Sequence, residues 1–186
     1  MQRLRLTAAL AALSFSIVTV AGPGAGAGGL PACTSQGNPG ACRLPIVNGD
    51  FERDIGVGWT IQGFASPGAG VGVLMPGARL GQAVAINTLS DPATSGYATQ
   101  LRVFGETGDG MVEVRLALSD SEGKNAHPIA TTQATVRKGE WTTVDLSGAG
   151  AAFAAPAHVL LTIENTGPGT RVQVDDVHVV ESLDAS

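Results

Sequence analysis

The chain has 186 residues, of which 15% are charged, 44% are hydrophobic and 26 are glycine. This length fits one medium domain rather than two, and the low charge with many glycines excludes a long-helix or coiled-coil protein. Eleven basic residues against sixteen acidic ones give a net charge of −5. Such a surface repels phosphate backbones, so we expect no nucleic-acid partner.

The N-terminus has the three parts of a secretory signal peptide. Arg3 and Arg5 precede an apolar stretch over residues 6–20. Residues 25–27 (AGA) supply a small-residue cleavage site, with residues 19–21 (TVA) as a second choice. The apolar stretch is shorter than the ~20 residues that a membrane span needs. We therefore expect cleavage of residues 1–27, which leaves nine basic against sixteen acidic residues, a net charge of −7. The mature protein is expected to be secreted, extracellular or periplasmic, without membrane contact.

Residues 28–44 form a Gly/Pro-rich segment that contains the only two cysteines, Cys33 and Cys42. In an oxidising compartment the two are expected to form a disulfide that closes a short, turn-rich loop. An alternative takes residues 30–33 (LPAC) as a lipobox, with Cys33 acylated. Pro31 and the distance from the apolar stretch argue against lipidation.

From residue 45 onward, apolar and polar residues alternate with period two between turn sequences, which indicates half-buried antiparallel strands. The clearest strand is 111–118, where Val112, Val114, Leu116 and Leu118 share one face. No helical period extends beyond a turn or two, so the pattern predicts an all-β antiparallel β-sandwich. The predicted strands are 84–86, 100–103, 111–118, 142–146, 159–163 and 171–174, with turns at 105–110, 119–125, 138–139 and 165–169, an alanine-rich loop over 149–157 and a tail over 183–186.

Four motifs carry a resemblance to a known family. Residues 48–52 (NGDFE) and 58–60 (GWT) open the domain, residues 139–142 (GEWT) come late, and residues 174–179 (VDDVHV) close it. In this order and spacing they resemble the carbohydrate-binding modules of families 4, 9, 16 and 22. The resemblance covers residues 45–182 and implies a galactose-binding-like jelly roll.

The resemblance also implies a structural calcium ion between the first and last strands. Carried over by position, Glu52 and Asp175 are the expected side-chain ligands, with Asp50 and the Asn48 carbonyl as additions. Strand alternation places Asp175 and Asp176 on opposite faces, so only one of them is expected to bind the ion. The alternative is that these carboxylates are simply solvated at a strand end.

The resemblance further implies binding to a polysaccharide or glycan by a monomeric module. Trp59 and Trp141 are candidates for a sugar-stacking platform. In the family, however, these motif positions are mainly structural, so we expect both residues to pack against the core. The outward polar residues of the central strands are then the expected sugar contacts: Tyr97, Gln100, Arg102, Glu113 and Arg115. If the two strands formed a hairpin, however, Arg102 would face Glu113 and Gln100 would face Arg115, as ordinary surface pairs.

The sequence gives no support for catalysis. Its three histidines, His127, His158 and His178, are isolated, and no nucleophile elbow, metalloprotease helix or phosphate loop is present. Two hypotheses therefore stand. The protein is either a secreted, non-catalytic carbohydrate-binding module, or a secreted structural or cell-surface β-sandwich without a sugar site. The small number of aromatic residues favours the second hypothesis.

Overall fold

The computed structural model describes residues 30–33, 40–86, 95–120, 125–150 and 157–182. The predicted signal peptide, most of the predicted loop over 149–157, part of the turn over 119–125, and the tail lie outside the described residues. Among the described residues, no helix is long and apolar enough to cross a membrane. The strands are β1 (Ala41–Arg43), β2 (Thr60–Gln62), β3 (Ala65–Pro67), β4 (Gly72–Leu74), β5 (Arg79–Ala85), β6 (Gly96–Gly105), β7 (Gly110–Ser119), β8 (His127–Val136), β9 (Trp141–Ala149), β10 (His158–Asn165) and β11 (Val172–Ser182).

The strands form two antiparallel sheets that pack face to face. The six-stranded sheet has the order β3-β4-β11-β6-β9, and β1 also pairs with β11. The five-stranded sheet has the order β2-β5-β10-β7-β8. The prediction of an all-β antiparallel sandwich is confirmed. The first and last strands lie side by side, as a jelly roll requires.

The core lies between the sheets and consists of every second residue of each long strand. In β7 the buried set is Val112, Val114, Leu116 and Leu118, and β10 contributes Val159, Leu161 and Ile163. The period-two sequence pattern predicts these same positions. Alternate residues of a strand share one face, and burial of the apolar face removes it from water. All six predicted strands are present, and most are longer than the pattern indicated.

The pattern missed β8 and the four short strands β1 to β4. Strand β8 has the sequence HPIATTQATV, in which small and polar residues give little contrast between its two faces. Among the described strands it pairs only with β7, at the edge of its sheet. An edge strand with one weakly buried face leaves a weak alternation signal.

Strands β6 and β7 are consecutive in the chain but lie in different sheets. The hairpin alternative is therefore wrong: Arg102 faces Thr143 and Asp175, and Glu113 faces Gln133 and Glu164. The segment after Gly105 crosses from one sheet to the other instead of turning back. A short glycine-rich connection can either turn back as a hairpin or cross to the other sheet, and its length does not indicate which of the two it does.

Candidate functional site

The opening motif forms a tight loop that the Asn48 side chain holds together. Its Nδ2 donates to the carbonyls of Arg53 and Asp54 at 3.3 and 3.1 Å, and its Oδ1 accepts from the Arg53 amide at 3.0 Å. The Asn48 carbonyl accepts a hydrogen bond from Trp59 Nε1 at 3.1 Å. Asn48 is buried, and its polar groups stabilise this loop.

Gly49 brings the opening loop into contact with β11. Its carbonyl accepts a hydrogen bond from the Val177 amide at 2.9 Å. A Cβ at this position would lie 2.4 Å from the Val177 carbonyl oxygen, too close for any other residue. The first and last motifs therefore meet, as the resemblance implies.

The closing motif is irregular, because a β-bulge lies between Asp175 and His178 and Asp176 has a φ of 50°. Arg102 Nη2 lies 2.8 Å from Asp175 Oδ2, and Arg102 Nε lies 2.7 Å from Asp176 Oδ2. The expectation that the two aspartates point to opposite faces is wrong, since the bulge interrupts the alternation. The guanidinium supplies the positive charge that we expected from calcium.

Three of the four predicted calcium ligands line one cleft, and the fourth is paired with an arginine. Asn48, Asp50 and Glu52 line a cleft of about 650 Å³ against residues 177–179, and Asp175 is not part of its lining. Asp50, Glu52 and Asp175 do not form a group of three carboxylates at ligand distance. Because Asp175 is paired with Arg102, a calcium ion would have to compete with that arginine, and calcium binding stays a prediction.

Trp59 packs as expected. It is 5% exposed, and its ring stacks on Phe51 with centroids 5.4 Å apart. The indole N–H has a partner in the Asn48 carbonyl, so this buried aromatic side chain is fully satisfied.

Tyr97 lies in the core and not at the surface, so its predicted place among the sugar contacts is wrong. It is 1% exposed, and its hydroxyl donates to Glu181 Oε1 at 3.4 Å. The reason is strand alternation: Tyr97 shares a face with Leu101 and Val103, which are buried, whereas Gln100 and Arg102 point outward.

Glu113 and Arg115 lie on the outer face of the five-stranded sheet, opposite to Gln100 and Arg102. Gln133 Nε2 donates to Glu113 Oε2 at 3.0 Å, and the Arg115 guanidinium contacts the other carboxylate oxygen. The hydrogen bond from Gln133 and then the contact with Arg115 lower the pKa of Glu113, against the effect of burial. The predicted sugar contacts are thus divided between two surfaces and the core.

Trp141 is exposed, contrary to the expectation that it packs against the core. It begins β9, at the edge of the six-stranded sheet, and 41% of its surface is accessible. The Phe104 ring lies 5.3 Å away between centroids, and the Arg102 guanidinium carbon lies 4.9 Å from the centre of the Trp141 ring. The sequence indicates this exposure, because strand alternation puts Trp141 on the same face as Thr143 and Asp145 and on the opposite face from the buried Val144.

We call the outward side of β6 and β9 the Trp141 face. Next to the aromatic pair, Gln100 Nε2 donates to Asp145 Oδ1 at 2.8 Å. A groove of about 290 Å³ lies beside this pair, and Leu30 and Ser147 are among the other residues that line it. The Trp141 face consists of Ala98, Gln100, Arg102, Phe104, Trp141, Thr143, Asp145 and Ser147.

No protein-family model matches the chain, and no curated protein matches its sequence. Solved structures do match. A family 4 carbohydrate-binding module superposes with a TM-score of 0.57 at 15% identity, over 73% of this chain and 98% of that one. The family 22 xylan-binding domain of Xyn10C from Paenibacillus barcinonensis gives a TM-score of 0.51 at 12% identity, over 78% and 99%.

The chain has the jelly-roll fold of these carbohydrate-binding modules. A Stig cyclase from Fischerella sp. TAU, solved in complex with an indole derivative, is similar to this chain to the same degree. Its TM-score is 0.57 at 16% identity, over 76% of this chain and 98% of that one. At such identities the similarity shows the fold alone, and the function of this chain has to be argued from its surface.

Proposed function

We propose that the protein is a non-catalytic carbohydrate-binding module that attaches to a polysaccharide or glycan through the Trp141 face. The observation that carries the proposal is the exposed Trp141 ring, held in place beside polar side chains on a regular sheet. Export of the protein, which the N-terminal sequence predicts, would bring this face to extracellular or periplasmic glycans. The Cys33–Cys42 disulfide supports the proposed oxidising location.

The indole ring supplies an apolar platform for the apolar face of a pyranose. An aromatic ring contributes a large contact area at a small entropic cost. Phe104 supports the ring from the neighbouring strand, and Arg102 lies over it. Because Asp175 and Asp176 also pair with Arg102, the guanidinium is fixed in position, and its cation–π contact restricts the ring before any ligand arrives.

The polar side chains are placed to contact hydroxyl groups along the strand. Thr143, Asp145 and Ser147 follow Trp141 on the same side of β9, at intervals of about 7 Å because two strand residues rise that far. The groove and the Gln100–Asp145 pair continue this line. A short oligosaccharide chain lying along β9 would reach all of them from the Trp141 ring.

Few aromatic platforms imply weak binding. Each hydroxyl contact exchanges water for protein and gains only ~1 kcal/mol. We expect a single site with a dissociation constant nearer millimolar than micromolar, for which the free energies are about −4.1 and −8.2 kcal/mol.

The alternative is a secreted structural or cell-surface sandwich that binds no sugar. The observation in its favour is the same scarcity of aromatics: among the described aromatic residues, Phe51, Trp59 and Tyr97 are buried. A third role, catalysis, is raised by the cyclase that shares the fold. We favour a binding role because the exposed Trp141 ring beside polar side chains suits stacking on a sugar ring.

Retardation on affinity gels that contain cellulose, xylan, β-glucan, mannan or chitin tests the proposal. Trp141→Ala should reduce retardation on the retaining polysaccharide by roughly tenfold in affinity, or 1.4 kcal/mol. Two matched controls should bind normally. Phe64→Ala removes an aromatic that is 69% exposed in the segment between β2 and β3, and Arg115→Ala changes the opposite face.

Three outcomes decide between the alternatives. Loss of retardation in Trp141→Ala alone supports the proposal. Loss in Arg115→Ala with normal binding by Trp141→Ala places the activity on the five-stranded sheet and contradicts it. No retardation of the wild type on any of the five polysaccharides favours the structural role.

A further inference from the structure

Three potential metal ligands meet between β1 and β11. The ligand atoms of Cys33, Cys42 and Glu181 all lie within 4.8 Å of one another, and no other His, Cys, Asp or Glu triplet in the described part of the chain does so. Cys42 lies directly opposite Glu181 in the strand register. The cysteine spacing alone could not indicate this group, because Glu181 comes from the other end of the domain.

The group is sheltered from water on the side of Glu181. Glu181 is 1% exposed and Cys42 is 3% exposed, and the Tyr97 hydroxyl donates to Glu181 Oε1 at 3.4 Å. Cys33 is only half-buried, so the group is open to solvent on one side. Once the disulfide is reduced, a buried carboxylate beside two cysteine thiolates is a donor set that suits zinc, which binds Cys sulfur and Glu oxygen.

The two cysteines are held next to each other by more than their disulfide. The Cys33 amide donates to the Arg43 carbonyl at 2.9 Å, and the Arg43 amide donates to the Pro31 carbonyl at 2.8 Å. Arg43 Nε also donates to the Leu30 carbonyl at 3.0 Å. These bonds do not involve sulfur, so reduction of the disulfide leaves the Cys33 backbone beside β1.

We propose that the reduced protein binds one zinc ion through Cys33 Sγ, Cys42 Sγ and a carboxylate oxygen of Glu181. An external dithiol first reduces the disulfide: the Sγ–Sγ bond breaks, each sulfur receives one electron and one proton, and the dithiol is oxidised to its own disulfide. Zinc then forms two Zn–S bonds and releases both thiol protons to solvent. The site is independent of the Trp141 face and of carbohydrate binding.

The arrangement matches what zinc requires. A tetrahedral ion with three protein ligands keeps its fourth position for water, and the half-buried side at Cys33 admits that water. Tyr97 orients the carboxylate through its hydroxyl, as an outer-shell partner of a metal ligand does. In the oxidised protein the sulfurs are bonded to each other and bind no zinc, so metal binding reports the redox state.

The test compares the reduced and oxidised protein. The disulfide is reduced with a phosphine, because a dithiol would compete for the metal, and zinc is titrated against a chromophoric chelator. We expect one zinc per chain in the reduced protein by native mass spectrometry, none in the oxidised protein, and two sulfur ligands in the zinc-edge X-ray absorption spectrum. Cys33→Ser should abolish tight binding.

Glu181→Gln tests the carboxylate and should weaken zinc binding roughly tenfold or more. Glu140→Gln is the matched control, since it removes an exposed carboxylate and should bind as the wild type does. If Glu181→Gln does not fold, the infrared carboxylate bands of the wild type with and without zinc decide. Equal binding by the oxidised protein, a spectrum without sulfur, unchanged affinity in Glu181→Gln, or unshifted carboxylate bands would each overturn the proposal.

Discussion

Glu113 illustrates how one side chain's neighbours set its charge. The amide of Gln133 donates to it at 3.0 Å, the Arg115 guanidinium contacts it, and together they lower its pKa. A carboxyl whose pKa is lower in the folded than in the unfolded state stabilises the fold above its ordinary pKa. That contribution is lost as the pH falls through the folded pKa.

We therefore predict that Gln133→Leu raises the pKa of Glu113 toward the ordinary glutamate value. The carboxyl carbon shift of Glu113, followed by NMR during an acid titration, measures the change. The acid side of the stability profile should become correspondingly less steep. Thr131→Val, on the same strand but paired with Arg115, serves as the control; an equal pKa in wild type and Gln133→Leu would contradict the explanation.

The two errors about aromatic residues have one cause. Strand alternation puts Tyr97 on the face of the buried Leu101 and Trp141 on the face of the exposed Thr143. Alternation alone therefore predicts a buried Tyr97 and an exposed Trp141. The polar hydroxyl of Tyr97 suggests a surface residue and the family motif suggests a packed Trp141, but strand position decides both. The contact of Trp141 with Phe104 and Arg102 was beyond the sequence, since it requires the pairing of β6 with β9.

At the scale of elements, Asn165 joins three segments at the end of β10. Its Nδ2 donates to the carbonyls of Leu74 and Thr170 at 3.1 and 2.8 Å, and its Oδ1 accepts from the Gly167 amide at 3.2 Å. The side chain is fully buried. It therefore ties β4 and the approach to β11 to the end of β10.

We predict that Asn165→Leu destabilises the fold by roughly 3 kcal/mol or more, because buried backbone groups that lose their partner cost about 1–3 kcal/mol each. Urea unfolding measures the change. Thr166→Val is the control, since the neighbouring hydroxyl makes one exposed bond to the Met111 carbonyl, and it should cost well under half as much. Similar losses in the two variants would show that Asn165 has no special role.

The bulge in β11 bears on the calcium prediction. If calcium binds Glu52 and Asp175, it must compete with Arg102 for Asp175. A ligand at 100 times its dissociation constant adds ~2.7 kcal/mol to the stability of the folded state, which shifts the melting temperature by several degrees. Melts with calcium and with chelator should then separate, and Glu52→Gln should remove the difference. Coincident wild-type melts would contradict calcium binding.

Strands in which apolar and polar residues alternate clearly are predictable from the sequence, and strands without this alternation are not. Strands β7 and β10 alternate cleanly, so both were found, whereas β8, with its small and polar residues, was missed. The bulge at Asp175 was also missed, because regular alternation is assumed until a structure shows otherwise. It is this bulge that brings Asp175 and Asp176 onto one arginine.

For the whole molecule, composition and the period-two alternation predict the β-sandwich, but they do not predict which polar residues share an outer surface. Which polar residues share a face depends on sheet membership, and β6 and β7 separate into different sheets. Gln100 and Glu113 therefore end on opposite outer surfaces although both point outward. The pairing of β6 with β11 and β9, distant in sequence, creates the Trp141 face.

The most direct test of carbohydrate binding at this face uses the two tryptophans, the only ones in the chain. Each indole N–H gives one signal in a ¹H–¹⁵N spectrum, which Trp141→Phe assigns. Titration with an oligosaccharide of a polysaccharide that retards the protein should shift the Trp141 signal progressively, while the Trp59 signal, buried and bonded to the Asn48 carbonyl, stays in place. A Trp141 signal that does not move, while amides of Glu113 and Arg115 on the other sheet do, would contradict the account.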